Sequence, residues 1–246
     1  MFLPSRVALM SGRFIGETHL QSHLPLTSVV LSREKYKVVC DLRNKIPFYV
    51  YERLTTESLK GRVKRKGHSF CEDIDIPRHV RARLSDYQKS GYDKGHACAA
   101  AHCCESTTSM SESFLLTNSI PQNSGLNVGH WLKLEKEIRK LVEVYDVVEV
   151  YSGGVFLPKK CRDGKRRVIY EVIGEGNVAV PTHFFKTLYM HQDKSVDERA
   201  YLLPNRLIPQ TVDLESFRST VKYVERISGI LFSKRPEVRN RTYPVN

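Results

Sequence analysis

Residues Gly91 to Arg139 read GYDKGHACAAAHCCESTTSMSESFLLTNSIPQNSGLNVGHWLKLEKEIR, and the most informative chemistry of the chain is concentrated there. Toward the C-terminal end, Trp131, Leu134, Ile138, Leu141 and Val142 recur at helical spacing, which predicts a helix over Leu126 to Val144 with one apolar stripe turned to a core. At about 100° per residue, Glu135 falls roughly 40° from Trp131, and Asn127 joins the stripe if the helix reaches back that far. Lys133, Lys136, Glu137 and Lys140 project elsewhere as a solvated face. A carboxylate and an amide turned inward are costly unless something satisfies them. A hard divalent cation that keeps several waters would do so, and oxygen donors used this sparingly suit Mg²⁺. The local alternative is that Asn127 caps the helix and Glu135 pairs with Arg139 at i, i+4. Upstream, Asp93-Lys94-Gly95-His96 places a cation and an imidazole one glycine apart, with a tight turn expected at Gly95. Imidazole suits general-base work near neutral pH, and the ammonium suits a phosphate.

The surroundings fit a polyanionic partner. Among 246 residues, 39 are Lys or Arg and 27 Asp or Glu, a net charge of +12, too asymmetric for solubility alone. Basic residues cluster at Lys60 to Lys66 and at Lys159 to Arg167, both in loop-like sequence suited to phosphate contact. The 41% hydrophobic content excludes disorder, and no run approaches the roughly 20 apolar residues of a membrane helix. Six cysteines, Cys40, Cys71, Cys98, Cys103, Cys104 and Cys161, are too sparse for a disulfide scaffold, so free thiols are expected.

No repeat or linker divides the chain. The expectation is a leader or targeting remnant over residues 1–21, basic at Arg6 and Arg13, followed by one domain over 22–246. Lys37 to Leu42 and Pro47 to Leu54 read as a hairpin turned through Arg43 and Asn44. Further strands are expected at Ser113 to Ile120, Val147 to Tyr151, Val168 to Ile173, Ala179 to Met190 and Ala200 to Leu203. A second helix is expected over Leu214 to Ile227, capped by Asp213. Strands and helices mixed without regular alternation argue for an α+β class.

The run Asp93 to His96, then Thr117-Asn118-Ser119-Ile120-Pro121-Gln122, then Leu126-Asn127 with Trp131 and Leu134-Glu135, resembles the signature of the DNA/RNA non-specific endonucleases, the ββα-metal nucleases. SREKYKVVCDLRNKIPFYVYERL, VPTHFFK at Val180 to Lys186 and VERISGILF at Val224 to Phe232 are similar to mitochondrial and bacterial members, so the resemblance covers residues from about 24 to 235. It implies a mixed or antiparallel sheet flanked by helices and one Mg²⁺, for which Mn²⁺ can substitute. It further implies hydrolysis of DNA and RNA to 5′-phosphate and 3′-hydroxyl ends. Carried onto this chain, His96 is the general base, Asn127 the direct metal ligand, Glu135 the holder of the metal's water shell, and Asn118 a supporting residue. Arg65 is the match to an arginine that stabilises the phosphorane, with Arg62 or Lys66 as alternatives. A homodimer is implied too, as is a mitochondrial intermembrane compartment or, for a bacterial protein, an intracellular or exported one.

The family pattern usually has Arg where this chain has Lys94. A guanidinium fork grips two phosphate oxygens and an ammonium is a point charge, so reduced activity or altered salt dependence is expected. Cys98, Cys103 and Cys104 are also foreign to the pattern. With His96 and His102 they suggest a zinc-stabilised module that binds nucleic acid without cleaving it, although the ligand spacing lacks two separated pairs. A catalytically weakened nuclease relative is the other alternative.

Overall fold

The structure, a computed structural model, describes residues 25–232; the expected leader and both ends of the expected domain lie outside them. In chain order the elements are β1 (Ser28–Ser32), β2 (Tyr36–Asp41), β3 (Ile46–Leu54), α1 (Leu84–Tyr87), β4 (Asp93–His96), α2 (Thr107–Ser113), β5 (Ser119–Gln122), α3 (Ser124–Leu126) and α4 (Leu132–Val144). Then follow β6 (Val147–Val155), β7 (Lys159–Lys160), β8 (Arg166–Arg167), β9 (Val172–Ile173), β10 (Val178–Ala179), β11 (His183–Gln192), β12 (Ser195–Pro204), β13 (Arg218–Ser219) and α5 (Val221–Ser228).

The fold is α+β, as expected. Seven strands form one sheet in the order β1-β2-β3-β6-β11-β12-β13, and every pairing in it is antiparallel. The Arg43–Asn44 turn joins β2 to β3 as the sequence suggested, with Asp41 Oδ1 accepting from both backbone amides at 2.9 and 3.0 Å. Strand β11, HFFKTLYMHQ, is apolar on both sides because both faces of the sheet are covered. On one face Phe184 and Leu188 join Val50, Val150 and the α4 residues Leu134 and Ile138. On the other, Phe185, Val155 and Ala200 meet Val221 and Val224 of α5.

Polar residues interrupt the first of these faces. Ser152 of β6 lies in register with Val50 of β3 and with Lys186 of β11, and Glu52 follows two residues along β3. All three side chains are buried. Above them sits a separate unit: β4 pairs antiparallel with β5, from Asp93 opposite Gln122 to His96 opposite Ser119, and α3 and α4 follow directly.

The α4 stripe is as expected, with Trp131, Leu134, Ile138 and Val142 at 1% exposure or less. The helix is not continuous, however. Asn127–Trp131 forms a wide π-type turn broken at Gly129 (φ −99°, ψ −110°), so α3 and α4 meet at a kink. Gly95 does not turn the chain: it lies inside β4, where a Cβ would come within 2.1 Å of the Gln122 side chain. Close cross-strand approach is why glycine is needed.

Caps and tertiary pairing account for the other differences. Instead of a strand from Ser113, α2 runs to Ser113 and only Ser119–Gln122 is extended; Ser106 Oγ accepts from Ser109 N at 2.9 Å and Ser109 Oγ from Ser106 N at 3.2 Å, a reciprocal cap that starts the helix. The Ala179 to Met190 strand is split around Pro181, which lacks a donor for a ladder. Only Val172–Ile173 of the Val168 to Ile173 strand is extended as such. Asp213 does cap a turn, but a single one, Leu214–Phe217. Arg218 and Ser219 then leave to pair with Tyr201 and Ala200, and α5 starts afresh at Thr220, whose Oγ1 accepts from Tyr223 N at 3.1 Å.

The true cap of the α3–α4 segment is Asn123, whose Oδ1 accepts from Gly125 N and Leu126 N at 3.0 and 3.3 Å. Asn123→Ala is expected to lower stability by about 1 kcal/mol, the usual worth of such a cap, measured by urea unfolding at equilibrium.

Candidate active site

Strand β4, the α3–α4 kink and the 60–70 loop converge on a cleft of about 430 Å³ whose walls include Arg65, Lys94, His96, Asn127, Glu135 and Arg139. Five of the six residues singled out from the sequence are therefore brought together. The sixth, Asn118, is fully buried and does not line the cleft. Its Nδ2 donates to the carbonyls of Cys98 and Ser113 at 2.9 and 2.8 Å, and its Oδ1 accepts from Cys98 N at 2.8 Å, so it pins the chain just after His96.

His96 ends β4 with its ring between Phe70 and Phe114, at centroid distances of 5.0 and 5.1 Å. Among the described residues neither ring nitrogen makes a hydrogen bond, and Nε2 is buried without a partner. Burial first, and the nearby Arg65 charge second, push its pKa from 6.5 down to about 3. Burial thus holds the imidazole in its neutral form.

The Asn127 side chain does not cap the helix but turns to Asp93. Its Nδ2 donates to Asp93 Oδ2 at 2.9 Å, while Ser124 Oγ donates to Asp93 Oδ1 at 2.8 Å. With its nitrogen committed, Asn127 has its amide oxygen left for the cleft. Glu135 does not pair with Arg139, whose Nη1 instead donates to the Ala101 carbonyl at 3.0 Å. Loss of water around Glu135 raises its carboxyl above the usual range, an effect that Lys186 and His102 only partly oppose.

These two oxygen donors on one wall fit a hard cation that retains most of its water. Among the described residues no group of three His, Cys, Asp or Glu is placed to cage a metal. The zinc-module expectation fails for a geometric reason. The Cys98 and Cys103 sulfurs are buried 3.5 Å apart, His102 Nδ1 is bound to Glu52 Oε2 at 2.8 Å, and Cys104 turns to the Leu59 carbonyl. All six cysteines are free.

Of the three candidate cations in the 60–70 loop, Arg65 alone reaches the His96 cleft; Lys66 lines an adjoining one. The loop is held by Val63 N donating to the Cys104 carbonyl at 3.0 Å. Gly61 packs so closely on that carbonyl that a Cβ would lie 2.0 Å from it. Lys94 Nζ sits 5.4 Å from the ring centroids of both Phe70 and Tyr87.

Sequence reasoning missed Asp93 as the residue that orients Asn127, and Arg139 as a cleft cation. It also missed two buried groups beneath the site, Glu52 and Lys186, and gave His102 to a zinc site where the structure binds it to Glu52. The available signal was Lys186 itself, a charge in the middle of the apolar run PTHFFKTLYM.

An antiparallel strand pair that delivers an imidazole, followed by a helix that delivers oxygen donors, is the architecture of the ββα-metal nucleases. Residues 16–238 match the model of the DNA/RNA non-specific endonucleases, and the chain belongs to this family of metal-dependent nucleases. It is 40% identical to human mitochondrial endonuclease G over 210 residues, 85% of this chain and 71% of that one. It is 37% identical to nuclease C1 of Cunninghamella echinulata over 212 residues, 85% and 84% of the two chains. A crystal structure of an EndoG/EndoGI complex, on the mechanism of EndoG inhibition, superposes with a TM-score of 0.81 at 38% identity, covering 82% of this chain and 84% of that one.

Because its pKa is depressed on folding, His96 adds stability that is fully present above pH 6.5 and is lost as pH falls toward about 3. An NMR titration of the histidine rings is expected to show His96 titrating far below 6.5, toward about 3. Protonation near pH 6.5 would contradict the buried geometry.

Proposed function

We propose that this nuclease hydrolyses phosphodiester bonds of DNA and RNA without sequence preference, in a Mg²⁺-dependent reaction that leaves 5′-phosphate and 3′-hydroxyl ends, and that residues 22–246 form its single catalytic domain. The observation that carries the reading is one cleft walled by a neutral imidazole, two oxygen donors and three cations.

In this reading His96 accepts a proton from a water aligned opposite the departing 3′ oxygen. Arg65 and Lys94 lie against the phosphate and counter the negative charge that grows on its oxygens as phosphorus becomes five-coordinate. Asn127 and Glu135 hold the divalent ion, Asn127 through the amide oxygen that Asp93 leaves free. When bound, the ion supplies charge relief at the leaving oxygen. Asn118 keeps the residues after His96 in place.

The cleft cations address the phosphate, which carries no sequence information. The exposed β7–β8 hairpin, with Lys159, Lys160 and Arg166, carries further charge of the kind that suits a nucleic-acid backbone. The human relative and a Schizosaccharomyces pombe nuclease that is 41% identical over 202 residues are both mitochondrial, which supports a mitochondrial setting for this chain too. No helix among the described residues is long and apolar enough to cross a membrane.

Cleavage of supercoiled plasmid and of RNA is expected with Mg²⁺ or Mn²⁺ and is expected to stop on chelation with EDTA. His96→Ala should lower turnover by on the order of 10²–10⁴-fold, the range of a positioned proton acceptor, while substrate affinity stays near wild type. Asn127→Ala and Glu135→Ala should raise the metal concentration needed for half-maximal rate, Asn127→Ala the more. Unchanged metal dependence in both, with a lowered Tm, would assign them structural roles instead.

Lys94 stands where the family pattern has arginine. Lys94→Arg should make cleavage faster or less sensitive to salt, since the fork can hold phosphate bidentately, and Lys94→Ala should slow it. Kinetics of the three proteins across a salt series check this; an inactive Lys94→Arg beside a fully active Lys94→Ala would remove Lys94 from the phosphate site.

A further inference from the structure

We propose that Lys186 is a positioning residue for His96, acting through the Ala97 carbonyl; this rests on the reading of His96 as the base. Lys186 is fully buried on the inner face of β11. Its Nζ donates to the Ala97 carbonyl at 3.0 Å and to Ser152 Oγ at 2.7 Å, and lies 4.6 Å from the centroid of the Trp131 ring.

The contact belongs to a series. The carbonyls of three consecutive residues each accept from a side chain of a different element. Trp131 Nε1 donates to His96 O at 3.1 Å, Lys186 Nζ to Ala97 O, and Asn118 Nδ2 to Cys98 O at 2.9 Å. The helix, the large sheet and the turn before β5 thus grip successive peptide groups at the end of the strand that delivers the base.

Such a grip is what this histidine lacks elsewhere. A catalytic imidazole is commonly oriented by a partner on its second nitrogen, yet here neither nitrogen has one among the described residues. The direction of the ring therefore depends on its backbone and on the flanking Phe70 and Phe114 rings. Lys186 supplies the middle of the three backbone contacts, and it is the one with a full charge behind it. Without the ammonium, a buried carbonyl loses its donor and the peptide tilts to find another. Displacements of this kind are enough to slow a positioned reaction severely.

Lys186→Met keeps the chain length and removes the charge. In the folded variant kcat is expected to fall by about tenfold or more, in keeping with the cost of a misplaced group, with KM for plasmid DNA changed less than threefold. Trp131 is the only tryptophan of the chain, so its indole N–H resonance and fluorescence report on both the Lys186 and the His96 contacts, and both signals are expected to shift. Ser152→Ala, which removes the second anchor of the ammonium, covers the case in which Lys186→Met does not fold; it should show a smaller fall in kcat with the same indole shift. Wild-type kcat in either folded variant, or a loss confined to KM, overturns the proposal. His96→Ala is run alongside. A normal rate there removes the base itself, whereas an inactive His96→Ala beside a fully active Lys186→Met removes only the role of Lys186.

Discussion

Two charged side chains, Glu52 and Lys186, stand buried on the face of the sheet that carries the site, and the unit above is built to satisfy them. An unpaired charge in such a place costs several kcal/mol even after relaxation. Burial pushes the Glu52 carboxyl upward, but His102 and Lys186 outweigh it and hold the pKa below the usual value. The partners of both charges come largely from one short stretch: His102 and Cys98 for Glu52, the Ala97 carbonyl for Lys186. Sliding or rotating the β4–β5 unit over the sheet would strand both charges at once. Apolar packing, as between Trp131 and Phe184 with ring centroids 5.4 Å apart, supplies attraction without direction. The buried charges supply direction.

Burial in the cleft opposes charge on two of its ionisable groups. Removing water lowers the proton affinity of His96 and raises that of Glu135, so burial opposes charge on both. Arg65 pushes the same way on the histidine and the opposite way on the glutamate. A cation brought into the cleft beside Asn127 and Glu135 would reinforce the carboxylate's ionised form. The Phe70 ring beside His96 is tied down from further away. Arg33 bonds Asp73 and Asp75 at 2.5 and 2.7 Å, and Thr117 Oγ1 donates to Asp73 at 2.6 Å, joining the β1–β2 turn to the loop that follows Phe70.

Much of this was legible in the sequence, for reasons that differ by element. The α4 stripe and the β2–β3 hairpin depend on periodicity and turn chemistry, which are local. Asp93 to His96 were recognisable as a group, yet the role of Gly95 was misread, because the Gln122 side chain that demands it is distant in sequence. Helix boundaries at Ser106 and Thr220 turn on caps that compete with extended propensity, and the kink at Gly129 interrupts a pattern that looks regular. The choice of Arg65 over Arg62 rests on the Gly61 and Val63 contacts with Cys104, a pairing no spacing rule shows. Lys186 was hidden by its company, since an apolar strand with one charge reads first as a strand.

The order of strands in the sheet bears on how the molecule is made. β3 and β6 are direct neighbours, but the whole ββα unit lies between them in the chain. Zipping them together closes a very long loop, an entropy cost of about 4 kcal/mol plus a constant for a segment of this length. Contacts so far apart in sequence form late and slow the search. A loop that has already condensed, with β4 on β5 and the helix packed beneath, is effectively shorter than its residue count. Condensing the segment that carries the chemistry therefore lowers the entropy cost of joining the two halves of the sheet.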